Sequence, residues 1–174
     1  STIRSRCQRL MFQPLAESLI VELLQKKLGG EVPADIQLIA SLAEGSIGKA
    51  LQWAEEDSLA ERKTLFEAIN NLKTASITTI MDCGPLLGED KETVLAKLDM
   101  LKVWLRDCAV GKLTNHPRHF INKDLVHSAQ MVSSHTSWNT LFEKIQIVNE
   151  TQAAVMENVN IRLATESMLL RLSH

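Results

Sequence analysis

The sequence has no tyrosine, and its 174 residues include only three tryptophans and four phenylalanines. That is too few rings for an aromatic-rich β-sandwich. Glycine and proline are also sparse, at seven and four residues, and the composition favours helices over strands. The three cysteines, Cys7, Cys83 and Cys108, are odd in number, far apart and without a CxxC pair. Neither a disulfide framework nor a zinc ribbon is suggested, and they read as reduced thiols of a cytosolic protein. No apolar run approaches the roughly 20 residues that cross a bilayer, and the N-terminus lacks the charged, apolar and small-residue order of a signal peptide. Nothing here addresses a membrane. Charge of one sign is missing too: 19 Lys and Arg against 21 Asp and Glu leave a formal charge of -2, so no global basic field recruits nucleic acid. What is present is an ordinary globular balance of 45% hydrophobic and 23% charged residues, which excludes wholesale disorder and suffices for one domain or two small ones.

The patterning predicts helices throughout, with no convincing period-2 run and no fixed-period repeat. Residues 1–13 read as extended, since Pro14 disfavours helix at Gln13. Leu15–Leu28 is a predicted helix carrying Leu15, Leu19, Val21, Leu23, Leu24 and Leu28, started by Pro14 and stopped by Gly29-Gly30. A short helix follows over Pro33–Glu44, with Ile36, Ile39, Leu42 and Ala43 on one side. A third, Ile47–Glu55, is capped by Ser46 and expected to bury Ile47, Ala50, Leu51 and Ala54. Beyond the polar break at Glu55-Glu56-Asp57 the helices lengthen: Leu59–Lys73, a shorter Ile77–Cys83, then Lys91–Val110. In Lys91–Val110 the residues Val94, Leu98, Leu101, Leu105 and Cys108 recur in steps of four and three, widened by Leu95 and Trp104. Gly111–Lys123, with Asn115, His116, Pro117 and Arg118, has a loop signature and is the expected mobile segment. Asp124–Ser133, Ser137–Asn158 and Asn160–Leu172 complete the set, the last two with stripes of Leu141, Ile145, Val148, Ala153 and of Ile161, Ala164, Met168, Leu172. The expected fold class is therefore all-α: a small three-helix bundle followed by a larger helical domain.

Motifs that carry chemistry are scarce. The phosphate-binding spacing GxxxxGK[ST] is absent, Gly48-Lys49 and Gly111-Lys112 being only fragments of it, and no HExxH, GxSxG or GxGxxG occurs. His116 and His119 lie three apart and can in principle share a metal, but with Pro117 between them and no carboxylate or cysteine nearby they read as solvated loop histidines. Cys83 and Cys108 occupy apolar helix positions without a histidine at helical spacing and read as core rather than nucleophiles. Ser5-Arg6-Cys7 sets a long cation between two small residues. Its guanidinium fork can serve phosphate oxygens, including a phosphoryl group on a neighbouring subunit, or it is a plain surface arginine.

Several stretches together resemble one family. Thr2-Ile3-Arg4-Ser5-Arg6-Cys7-Gln8 with Phe12-Gln13-Pro14-Leu15 resembles the segment leaving the nucleotide-binding domain of bacterial clamp-loader AAA+ subunits, where a Ser-Arg-Cys motif occurs. Glu44-Gly45-Ser46-Ile47-Gly48-Lys49-Ala50-Leu51 looks like their second sensor motif. Trp104-Leu105-Arg106-Asp107 resembles their collar domain. The ending Asn158-Val159-Asn160-Ile161-Arg162-Leu163-Ala164, with Glu166 and Leu169-Leu170-Arg171-Leu172, is similar to the final helix of the delta-prime branch in DNA polymerase III.

The resemblance implies three regions: 1–13 as the trailing edge of a nucleotide-binding domain absent from this chain, 14–57 as the AAA+ lid, and 58–174 as the collar through which such subunits form a ring. It implies a non-catalytic, cytoplasmic bacterial replication subunit. This subunit would help place a sliding clamp on primed DNA for a DNA-directed DNA polymerase, with motor (gamma/tau-type) and delta subunits as partners and DNA met only as part of the complex. No cofactor or metal is expected on the chain itself. ATP would sit on the neighbouring subunit, reached by Arg6 as an arginine finger with Ser5 and Cys7 in its motif. Motor subunits carry an arginine where this sequence has Gly48, so the resemblance favours a subunit that does not hydrolyse ATP. Lys49, about 100° further around a helix, is no substitute and reads as a surface residue. Trp104, Trp138, Leu169 and Leu170 are candidates either for collar contacts or for core. Two alternatives stay open: a motor ATPase of the same group, disfavoured by Gly48, and an unrelated all-helical interaction module. Arg4, Arg6, Arg9, Lys26 and Lys27 make the beginning more basic than the whole, with weak DNA contact at most expected.

Overall fold

The computed structural model describes Met11 and residues 13–29, 33–55, 57–114 and 116–174. Among these residues there are nine α-helices, four short 3-10 turns and no strand, so the chain is all-α. It divides into two compact units, Ser1–Ala54 and Glu55–His174.

The first unit holds α1 (Glu17–Leu28), α2 (Ile36–Leu42) and α3 (Ile47–Trp53), each packed on the other two. Ile20 and Leu24, one turn apart on α1, are fully buried with Ile39, Ala40, Ala43 and Ala50. Side chains of the Ile and Leu class contribute about 1.5–3 kcal/mol each when fully buried. Leu19, expected on the same face, is exposed. Pro14 does not start the helix. Ala16 in extended conformation is the N-cap, while the neighbouring Leu15 N–H donates to the Gly45 carbonyl at 3.0 Å. Gly29 ends α1 in the left-handed region, at φ 66°, where a Cβ is unfavourable. Gly45 is required twice over: its φ is 81°, and a Cβ there would lie 2.5 Å from the Pro14 Cβ. Ser46 caps α3, its hydroxyl accepting from the Lys49 N–H at 3.4 Å. Of the four residues expected to be buried by α3, only Ala50 is fully so; Ile47, Leu51 and Ala54 stay half-buried, because a seven-residue helix offers little more than one edge to its neighbours.

The second unit is organised by α6 (Lys91–Leu113), which packs on α4 (Ser58–Asn71), α7 (Val126–His135) and α8 (Trp138–Met156). The short α5 (Ile77–Asp82) and α8 both rest on α9 (Ile161–Leu172). Val94, Leu98, Leu101, Trp104, Leu105 and Cys108 of α6 are buried, the predicted stripe with one of the two residues expected to widen it; the other, Leu95, is half-buried. The Trp104 indole stacks on Phe66 at 4.8 Å and donates to the Asn70 side-chain oxygen at 3.2 Å, which satisfies the polar end of a buried ring. Side-chain caps start the helices: Asp90 for α6, Ser137 for α8 and Asn160 for α9. Hydrogen bonds from Thr93 hold the Asp90 carboxyl below its usual range. Each end of α6 also ties down the end of another helix. Lys91 Nζ donates to Met156 O at 2.9 Å and Asn158 Oδ1 at 2.8 Å, and Lys112 Nζ donates to Ser133 O at 2.7 Å and Thr136 O at 2.6 Å. Cations so placed satisfy last-turn carbonyls and complement the helix dipole.

Two expectations are corrected here. The helix expected to stop at Val110 runs on to Leu113. Gly111 is a point of close approach to α7, where a Cβ would lie 2.6 Å from the Ser133 hydroxyl. The stripes of the last two helices are also shifted. Buried residues on α8 are Leu141, Ile147, Val148, Thr151 and Val155, and on α9 Thr165, Met168, Leu169 and Leu172. Ala153 is exposed. Alpha8 faces both α6 and α9, so its buried surface is wider than one stripe, and threonine hydroxyls enter it by bonding backward to carbonyls one turn earlier.

Candidate functional site

Ser5, Arg6 and Cys7 lie outside the described residues, as do Arg4 and Arg9. Lys26 and Lys27 are exposed in the last turn of α1. Gly48, the sensor-like position, is exposed in the first turn of α3. A Cβ built there meets only the Ser46 hydroxyl, at 3.8 Å, so packing leaves room for a side chain that the sequence does not supply. Lys49 is a surface residue paired with Glu44 at 3.6 Å.

The most developed polar arrangement joins α4, α6 and the segment before α7. Asp107, fully buried on α6, accepts from the Asn122 N–H at 2.8 Å, from the Asn122 amide at 2.8 Å and from the Ile121 N–H at 3.2 Å. Arg62, 1% exposed on α4, donates to the Asn122 side-chain oxygen and to Asp124 at 2.6 Å. Arg106 bonds Asp107 at 2.7 Å and the His119 carbonyl at 2.6 Å. Burying charge is tolerable only when it is paired and hydrogen-bonded, as it is here. This overturns the reading of Gly111–Lys123 as a mobile loop: its second half is fastened to α4 and α6, and Phe120 and Asn122 are buried. Sequence reading missed Arg62, Asp107 and Asn122 because they are 60 residues apart on one side and 15 on the other. The signal within reach was a run from Cys108 to Lys123 without a single carboxylate.

His116 and His119 are exposed on that segment, their rings 5.8 Å apart. The Arg118 backbone N–H donates to His116 Nδ1 at 3.4 Å and the Arg118 Nε–H to His119 Nε2 at 3.2 Å, so a ring nitrogen of each is already engaged. Among the described residues no three His, Cys, Asp or Glu side chains form a group able to hold a metal. Cys83 and Cys108 are buried, as their apolar positions predict. Burial pushes the Cys108 thiol up to about 12, with Asp107 adding to the effect and Lys144 opposing it. Burial, and then Asp82, also raise Cys83. Neither is an activated nucleophile. A groove between the 3-10 turn Gly84–Leu87 and α9 is lined by Met81, Asp82, Pro85, Ile161, Arg162 and Glu166, and the Arg162 guanidinium is taken by Glu166 at 2.7 Å. It brings together no nucleophile and base.

The candidate contact residues divide. Trp104 and Leu169 are core, whereas Trp138 is 37% and Leu170 38% exposed. Trp138 stacks on Phe142, which is 60% exposed, with Lys112 Nζ 5.8 Å from the indole centre. Met156, Val159 and Leu163 are exposed around the turn from α8 to α9. Unpartnered apolar side chains thus gather on the last two helices, the pattern of a protein contact surface. No helix among the described residues is long and apolar enough to cross a membrane.

Among the described residues the second unit is all-helical, with a buried core and apolar side chains left outside it. The chain is 26% identical over 176 aligned residues, 98% of its own length, to DNA polymerase III subunit delta' of Bacillus subtilis (strain 168), and it spans 52% of that relative. Residues 56–174 match the family described as DNA polymerase III, delta subunit, C terminal. That match takes in nearly all of the second helical unit, and the chain belongs to this family.

Proposed function

We propose that the chain is a non-catalytic clamp-loader subunit of delta-prime type, acting in assembly with motor (gamma/tau-type) and delta subunits to place a sliding clamp on primed DNA in the bacterial cytoplasm. The observation that carries this reading is the family match over residues 56–174 together with the delta' relative along 98% of the chain. In this reading 14–57 is the lid and 58–174 the collar. The collar meets its neighbours through the side chains left exposed on α8 and α9, of which Leu163, Met156 and Phe142 are the most exposed. ATP belongs to the neighbouring motor subunit. Arg6 supplies the finger that stabilises charge developing on its transferred phosphoryl group, an effect of about 10³ or more in rate where such fingers act. Gly48 fits a subunit without hydrolysis of its own, because glycine offers no cation at that position although the surface there has room for one.

Light scattering on a sizing column, with this chain and then with the motor and delta subunits of its own organism, tests the assembly. Co-elution in a defined complex is expected. Failure to associate at tens of micromolar would remove assembly with these subunits from the reading. Within the complex, Arg6→Ala is expected to lower ATP hydrolysis while assembly persists, and unchanged hydrolysis would remove the finger from the reading.

A further inference from the structure

We propose that the groove between the Gly84–Leu87 turn and α9 binds a peptide segment of another protein, one that carries lysine or arginine beside aliphatic side chains. This goes beyond the assembly reading and does not depend on it. The groove lies within the second unit and encloses about 680 Å³, a size that holds ligands of several functional groups. Met81, Pro85 and Ile161 are its apolar lining. At Gly84, another lining residue, a Cβ would meet nothing within 4 Å, so no neighbouring side chain fills the cleft there.

The polar lining asks for a cationic donor. Three carboxylates, Asp82, Glu89 and Glu166, stand against one guanidinium, Arg162, and the 2.7 Å pairing of Arg162 with Glu166 leaves two without a counter-charge. Asp82 closes α5 and Glu89 follows the turn; both are exposed, and neither side chain has an ion pair or hydrogen bond among the described residues. The third group is Thr165, which lines the groove yet is only 3% exposed. Its hydroxyl gives its proton backward to the Ile161 and Arg162 carbonyls, at 3.1 and 3.0 Å. What it keeps for an occupant is acceptor lone pairs, and an ammonium or guanidinium supplies the donors that these three groups lack.

Two features favour a peptide over a small cation. Among the described residues no three His, Cys, Asp or Glu side chains can hold a metal, and an inorganic cation would make no use of Met81, Pro85 and Ile161. Exposed ion pairs also contribute little by themselves, so apolar contact has to supply much of the affinity. An extended segment with cationic and aliphatic side chains close together provides both, the carboxylates and the apolar lining each taking one kind.

Fluorescence anisotropy of a labelled hexapeptide, with lysine and arginine on either side of two leucines, titrated with the chain at about 50 mM salt, reads the proposal. Binding is expected at tens to hundreds of micromolar. Asp82→Asn together with Glu89→Gln should weaken it about tenfold, and serine in place of both peptide leucines should weaken it about as much. Glu92→Gln, an exposed acid outside the groove, should leave it unchanged. Amide shifts in NMR spectra of the chain should move most at Met81, Gly84 and Ile161. Thermal melts should be the same in every variant, since the altered side chains are exposed. No binding by about 1 mM, an equal loss from Glu92→Gln, or equal affinity for the serine peptide overturns the proposal. Spermidine bound as tightly as the peptide through Asp82 and Glu89 also overturns it, in favour of a free polyamine.

Discussion

The Asp107 carboxylate accepts two hydrogen bonds from Asn122, one from its backbone N–H and one from its side-chain amide, each at 2.8 Å. A single buried acid thereby fixes where the chain re-enters the core after α6.

Removing that acid strands its donors. Asp107→Ala leaves the N–H groups of Ile121 and Asn122 and the Asn122 amide without their acceptor in a buried place, and is expected to cost about 3 kcal/mol or more. In urea the midpoint should fall with little change in the slope. Arg106→Ala, whose side chain is half exposed, should cost less than about 1 kcal/mol. A midpoint for Asp107→Ala close to that of the parent chain would mean that the segment is held by something else.

The Cys108 thiol gives stability a pH dependence of defined sign. Its proton leaves near pH 9.0 in an unfolded chain and at about 12 in the folded one. Between those values the unfolded state has the fewer protons, so this contribution is complete below about pH 9 and is lost as pH rises toward 12. Lys144 acts oppositely: burial, and then Lys73, hold its ammonium below its ordinary 10.5, so the stability it contributes is lost as pH falls through the folded value. Cys108→Ala should flatten the alkaline decline in urea midpoints measured from about pH 8 to about pH 11. An unaltered decline would clear Cys108 of responsibility. In the native chain neither Cys83 nor Cys108 should take up iodoacetamide, whereas both should after denaturation, as peptide mapping by mass spectrometry will read.

Three glycines should respond to alanine in three ways. Gly48→Ala makes one ordinary contact, with the Ser46 hydroxyl at 3.8 Å, and should be neutral or stabilising by up to about 1 kcal/mol. Gly45→Ala needs a left-handed backbone and a Cβ 2.5 Å from Pro14, and should destabilise by about 1–3 kcal/mol. Gly111→Ala should fall between them, because the Ser133 hydroxyl 2.6 Å away is a side-chain atom able to turn aside. Circular-dichroism melts order the three, and a Gly48→Ala as damaging as Gly45→Ala would contradict the unstrained fit at Gly48.

If α8 and α9 carry the collar contacts, Phe142→Glu and Leu163→Glu should each weaken assembly by about tenfold or more while leaving the melt of the isolated chain unchanged. Trp104→Ala should do the reverse, lowering the melt through loss of its stack on Phe66. Sizing-column light scattering beside thermal melts separates the two effects. Intact assembly of both glutamate variants would move the contact elsewhere on the unit.

The order of the helices, the Ser46 cap, the Gly29 stop and most of the α6 stripe were legible in the sequence, because these are local matters of period, capping side chains and glycine stops. Ser46, Gly29 and the run from Val94 to Cys108 signal their roles within a few neighbours. The family was legible too, in motifs spread from one end of the chain to the other. Tertiary structure decided what depends on distant partners. Gly111 reads as a loop start until Ser133 comes against it, and Trp104 and Trp138 look alike until one stacks in the core and the other remains at the surface. Arg62 and Asp107, two ordinary charged residues of helical segments, become the anchors of residues 116–125 only when α4 and α6 carry them to Asn122 and Asp124. Periodicity tells which side chains leave water, but burial of a charge depends on where its counter-charge and hydrogen-bond partners come to lie, and folding alone brings those together.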